Sequence, residues 1–149
     1  MSQSAITFIG GGNMAAAIYG GLLDNGFNPD EIGVVDPSEG AQQKARSAGL
    51  SRVYSVAPTA IEDDLLVLAV KPQIASTVLA SLQGKLSEST TVLSIIAGID
   101  AQSLATMLGL ADTSTIIRCM PNTPALVNEG MTALLANRQC SEHGQRLAE

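Results

Sequence analysis

The chain has 149 residues, enough to bury the core of about one domain and too few for an ordinary two-domain enzyme. Hydrophobic residues at 46% against 15% charged exclude a disordered chain. A net charge of −6 and an aromatic share of 3%, with no Trp, argue against nucleic acid and anionic membrane surfaces as partners.

Ala5 to Ile9 is a short apolar run rich in β-branched residues and stopped by Gly10-Gly11-Gly12, which predicts a buried strand. Apolar residues at Met14, Ile18, Leu22 and Leu23 then predict a helix from Asn13 to Asn25, with Asn25-Gly26 as its stop. Ile32 to Val35 reads as a second strand ended by Asp36-Pro37, and a helix follows from Ser38 or Glu39 to Ala48, closed by Gly49. Arg52 to Ser55 is a weak third strand. Glu62-Asp63-Asp64 reads as a solvated acidic loop, because it lacks the ligand alternation of a calcium site.

The run Leu65 to Val70 predicts a strand buried on both faces, followed by a helix from Pro72 to Leu82. Thr91 to Ile96 is a further buried strand, and Asp100 caps a helix reaching Leu108 before Gly109. Thr115 to Met120 and Met131 to Leu135 read as two more strands. A helix then starts at Ser141 and runs to the terminus without a C-cap glycine, as if cut within its length. Strands alternating with helices predict one α/β domain over residues 1–149, a doubly wound and mostly parallel sheet with helices on both faces.

No basic, apolar leader opens the chain, and the run Leu65 to Val70 is too short to span a bilayer. Cys119 and Cys140 form no CxxC and no zinc pattern, so they read as free thiols in a reducing cytoplasm. His143, the only histidine, has no nucleophile to serve, and the chain carries no metal-ligand cluster.

Gly10-Gly11-Gly12-Asn13-Met14-Ala15 fits G-x-G-x-x-G/A between a strand and a helix, the context that a dinucleotide site requires. Gly10 permits the tight turn, Gly12 lets a pyrophosphate approach the backbone, and Ala15 allows helix and strand to pack closely. Asp36, twenty-one residues beyond Ala15, stands where an acid bonds the ribose 2′-OH of NAD, or else bonds its own turn backbone. Lys71 is either a coenzyme contact or a solvated strand end.

Phe8 to Ala15, Ala69-Val70-Lys71-Pro72 and Arg118-Cys119-Met120-Pro121-Asn122-Thr123-Pro124-Ala125 together resemble the pyrroline-5-carboxylate reductase family over the whole chain. The resemblance implies a Rossmann-like fold and reduction of 1-pyrroline-5-carboxylate to proline by NADPH or NADH. It implies coenzyme contacts at Ile9, Gly10, Gly11, Gly12, Asn13 and Met14 for the pyrophosphate turn. On the nicotinamide side it implies Ala69, Val70, Lys71, Pro72, Ile95, Ile96 and Ala97, with Asn122 and Thr123 at the mouth of the cleft. No side chain is assigned a catalytic role. Members that use NADPH place Ser, Thr, Asn or Arg near the position of Asp36, and Val56 stands where some have Asn.

The resemblance reaches only the coenzyme-binding half of that family, whose helical half completes the substrate site and the homo-oligomer. These residues alone are therefore expected to turn over little substrate and to be monomeric or weakly associated. A stand-alone nicotinamide-binding module, or a related reductase acting on another imine or hydroxy acid, remains an alternative reading.

Overall fold

The computed structural model describes residues 4–111, 114–121, 132–137 and 140–149. Seven strands form one sheet in the order β3-β2-β1-β4-β5-β6-β7. They are β1 (Ile6–Ile9), β2 (Ile32–Val35), β3 (Arg52–Tyr54), β4 (Leu65–Leu68), β5 (Thr91–Ser94), β6 (Ile116–Pro121) and β7 (Thr132–Ala136). The first six are parallel, and β7 returns antiparallel on β6. The helices are α1 (Asn13–Asp24), α2 (Glu39–Ser47), α3 (Ala75–Ala80), α4 (Ala101–Leu108) and α5 (Glu142–Ala148).

Strands β1, β2, β4 and β5 are buried along their whole length, as parallel strands covered on both faces must be. Alternate residues feed two cores. Phe8, Val34, Val67 and Ile117 pack with Ala15 and Tyr19 of α1, Ala45 of α2 and the partly buried Leu147 of α5. Ile9, Leu66, Leu68, Val92 and Ile116 pack with Leu79 of α3 and Leu104 and Leu108 of α4.

Helix α4 matches its expected bounds because both ends are written locally. The Asp100 side chain accepts the Ser103 N–H at 2.7 Å, and Gly109 closes the helix in the left-handed region with φ +64°. Pro72 instead opens a 3-10 turn, Pro72–Ile74, so α3 begins only at Ala75 and stops at Ala80, short of Leu82. Strands β4 and β5 end two residues before their apolar runs do, since Ala69-Val70 and Ile95-Ile96 turn out of the sheet at its carboxyl edge.

The reading of Glu62-Asp63-Asp64 as solvated is corrected at Asp63. In one row across the sheet Arg52 faces Gly33, and Gly33 faces Thr7. The Arg52 side chain crosses β2 over this bare glycine, whose Cβ, if present, would lie 2.7 Å from Thr7 Oγ1. Arg52 Nη2 donates to both Asp63 oxygens at 2.9 Å, and Thr7 Oγ1 donates to Asp63 Oδ2 at 2.6 Å. Burial alone would lower the Arg52 pKa, but the hydrogen bond and charge of Asp63 outweigh it and hold the guanidinium above its ordinary value. Glu62 and Asp64 are exposed, as expected.

Tyr19 packs edge-on against Phe8, with ring centroids 5.9 Å apart, and its hydroxyl is buried without a hydrogen-bond partner. Burial raises the pKa of that hydroxyl. Stranding a polar group in this way costs roughly 1–3 kcal/mol. Tyr19→Phe is therefore expected to raise stability by about 1 kcal/mol in urea unfolding, and a loss of stability would show that the hydroxyl is bonded.

Candidate functional site

The strand order reverses at β1, whose neighbours β2 and β4 lead the chain to opposite sides of the sheet. In open parallel sheets the crevice at the carboxyl ends of such strands is the ligand site. A cleft of about 640 Å³ opens there. Its floor is Ile9, Gly10 and Gly12, one wall is Val35 to Ser38 with Ser55 to Ala57, and the other is Ala69 to Lys71 with Val78 of α3 and the flanking Ile74, Ser81 and Leu82.

Each glycine of the triplet has a different task. Gly10 has φ +98°, and a Cβ on it would stand 2.6 Å from the Ala69 carbonyl oxygen, so β1 can turn beside β4 only with glycine there. Gly11 is buried, and a Cβ would come within 2.9 Å of the Val34 side chain. A Cβ on Gly12 would meet no protein atom within 4 Å, which leaves that position open to a ligand. Gly12 is also the N-cap of α1, and no side chain caps the helix and no acidic residue sits in its first turn. The first-turn N–H groups and the positive end of the helix dipole are thus left for an anion.

The Asp36 carboxylate joins the two turns that border the cleft. One oxygen accepts the Gly11 N–H at 2.8 Å and the other accepts the Ser38 N–H at 2.8 Å. The residue thus bonds its own turn, as one of the two sequence readings expects, and it also lines the cleft. The Gln42 side-chain amide donates to the Asp36 carbonyl at 2.8 Å, fixing the backbone from α2.

Among the expected contacts, Ile9, Gly10, Gly12, Asp36, Ala69, Val70 and Lys71 line this cleft. Gly11 supports it from beneath. Asn13 and Met14 belong to the first turn of α1, with Asn13 Oδ1 accepting from Lys44 Nζ at 3.1 Å. Pro72 is exposed at the start of its 3-10 turn. The partly buried Ile95 and the buried Ile96 turn toward opposite cores, whereas Ala97 is exposed beyond the end of β5. Asn122 and Thr123 lie outside the described residues.

Sequence reasoning misses the wall formed by Ser55 and Ala57, and by Ile74, Val78 and Ser81, and it notes Val56 only as a departure from the family's Asn. Its available signal was positional, since these residues follow β3 and β4 at the same carboxyl edge. Val56 is 73% exposed, an apolar side chain standing open at the cleft.

Nucleophilic and metal chemistry find no support among the described residues. Burial pushes the Cys119 thiol up to about 11, away from the reactive thiolate, and no group of three or more metal-ligating side chains is present. His143 is exposed on α5. No helix among the described residues is long and apolar enough to cross a membrane.

This geometry defines a doubly wound α/β nucleotide-binding domain. Residues 5–98 match the model of the family described as NADP oxidoreductase, coenzyme F420-dependent, and the chain belongs to that family. It is 41% identical over 156 residues to the pyrroline-5-carboxylate reductase of Pseudomonas aeruginosa, covering 99% of the chain and 56% of that protein. Among solved structures it resembles a pyrroline-5-carboxylate reductase from Coxiella burnetii, with a TM-score of 0.89 and 37% identity over 98% of this chain and 54% of that one. The Plasmodium falciparum pyrroline carboxylate reductase with NADP bound matches with a TM-score of 0.80 and 28% identity, over 99% and 53% of the respective chains. The chain spans about half the length of these relatives.

Gly10→Ala places a methyl against the Ala69 carbonyl and imposes a strained φ on alanine. A destabilisation on the order of 3 kcal/mol and loss of nucleotide binding are expected. Unchanged thermal unfolding together with unchanged binding would refute this account of the turn.

Proposed function

We propose that this chain is the coenzyme-binding half of a pyrroline-5-carboxylate reductase, which reduces the cyclic imine of 1-pyrroline-5-carboxylate to proline with NADPH or NADH. The observation that carries the reading is the open glycine turn at the uncapped start of α1, set in a cleft that continues past Asp36 on one side and Lys71 on the other. The relatives' names supply the substrate.

When bound, the coenzyme supplies the hydride. The chain's own residues bind and orient it. Gly12 and the first turn of α1 would hold the pyrophosphate by backbone N–H groups, Asp36 would meet the adenosine ribose, and the backbone of Ala69 to Lys71 and Ile95 to Ala97 would border the nicotinamide. Orientation of the substrate against the nicotinamide needs further groups, Asn122 and Thr123 among those proposed, together with residues of the other half. Full positioning is worth about 7–11 kcal/mol, so this chain alone is proposed to turn over little substrate.

Asp36 favours NADH. Its carboxylate is already held by two N–H groups, and a 2′-phosphate beside it would face a like charge at the cleft wall. This sets the residue against the NADP of the family description. Oligomerisation is proposed to belong to the whole enzyme, with the chain itself monomeric or weakly associated through Met120, Leu134 and Leu135, which are 49%, 39% and 64% exposed. A cytoplasmic setting is consistent with two free thiols.

Calorimetric titration tests the reading directly. NADH is expected to bind about tenfold more tightly than NADPH, and Asp36→Ser to narrow or reverse that ratio. Tighter NADPH binding by the unaltered chain would remove the specificity role of Asp36, and absence of binding by either coenzyme would remove the functional reading.

A further inference from the structure

We propose that Lys44 positions the side-chain amide of Asn13 for the coenzyme pyrophosphate and supplies positive charge beside it, a role that rests on the function proposed above.

Lys44 belongs to none of the contacts expected from the sequence, and it is not among the residues that line the cleft. It lies on α2, which runs beside the glycine turn: a Cβ on Gly11 would stand 3.3 Å from the Ala41 Cβ. Ala41 and Lys44 are three residues apart and share a face, with the buried Ala45 next to them. Helical side chains lean toward the N-terminus of their helix, which for α2, following β2, is the carboxyl edge of the sheet. The Lys44 ammonium is thereby carried back to the start of α1, where Nζ donates to Asn13 Oδ1 at 3.1 Å.

That bond settles how the amide is turned. Lysine has donors and no acceptor, so it takes the amide oxygen and leaves the NH2 group facing elsewhere. Among the described residues no protein acceptor receives that NH2. Asn13 is the first residue of α1, and its side chain leans past the open end of the helix, where no side chain caps the backbone N–H groups. The amide thus adds a donor to the cradle that those N–H groups offer an anion. Turned the other way, it would present its oxygen and repel a phosphate.

The charge of Lys44 bears on the same anion. The Asp36 carboxylate already stands at this turn, on the Gly11 N–H, and the chain as a whole carries −6. A pyrophosphate entering here needs a local cation. Neither ion pair among the described residues includes Lys44, so no carboxylate neutralises it. A basic residue in the last turn of α2 also complements the dipole of that helix, which accounts for a lysine at 44 but not for its bond across to α1. NADH and NADPH share the pyrophosphate, so the role of Lys44 is blind to the 2′ substituent, in contrast to that of Asp36.

The test compares NADH and NADPH binding by calorimetry in the unaltered 149-residue chain and in variants of it. Lys44→Met is expected to weaken both coenzymes by the same factor, about fivefold at low salt and less at high salt, with thermal unfolding unchanged. Lys44→Arg, which also only donates, is expected to restore most of the affinity. Asn13→Asp keeps an acceptor for Lys44 but removes the NH2 group, and is expected to weaken both coenzymes about tenfold or more. In an Asn13→Ala background the amide is gone, and Lys44→Met should then weaken binding about twofold or less. An undiminished effect of Lys44→Met in that background would overturn the positioning role. Unchanged binding by Lys44→Met would overturn the proposal outright, and so would a loss confined to NADPH, which would place Lys44 at the 2′-phosphate. Failure of both coenzymes to bind the unaltered chain is a separate result and refutes the functional reading instead.

Discussion

The Asp36 carboxylate fixes the distance between the two turns on which the cleft is built. One oxygen holds the Gly11 N–H after β1 and the other holds the Ser38 N–H before α2. Charge-assisted bonds of this kind are stronger than neutral ones and tolerate little displacement. The cleft wall at Asp36 is therefore tied to both turns before any ligand arrives. A substitution at position 36 that alters the charge of the cleft wall therefore also releases one or both of these turns.

The two ends of the sheet are organised on different principles. At the carboxyl end, backbone is left available where α1 starts without a side-chain cap. Toward the amino end, polar groups are consumed internally. Arg52, Thr7 and Asp63 satisfy one another, the Thr90 hydroxyl donates to the Asp63 carbonyl, and the Ala5 N–H reaches Asp64.

Most of the architecture was legible because the signals were local. Asp100 and Gly109 write both ends of α4, and the unbroken apolarity of Leu65 to Leu68 marks a strand covered on both faces. The glycine turn was legible from its placement between a strand and a helix. What escaped depended on tertiary geometry. Apolarity continues through Ala69-Val70, and only the close approach of Gly10 explains why the strand has already ended. The Ser55-Val56-Ala57 wall has no motif, and its role follows from where β3 ends. Gly11 is expected only as a coenzyme contact, yet its N–H and its missing side chain are both used within the protein. The partnership of Asp63 with Arg52 needed the strand order and a bare position between them.

That bare position has an evolutionary consequence. Gly33 contributes no side chain, but the path of Arg52 over it is what lets β3 communicate with β1. Thr7, Gly33, Arg52 and Asp63 thus form a single epistatic unit distributed over three strands and a loop. A side chain at 33 becomes tolerable only where Thr7 has been replaced, because a Cβ there would lie 2.7 Å from Thr7 Oγ1 but in ordinary contact, 3.5 Å, with the Arg52 guanidinium. Divergence at this end of the sheet is expected to proceed by coordinated replacement of the group rather than by independent drift of its members.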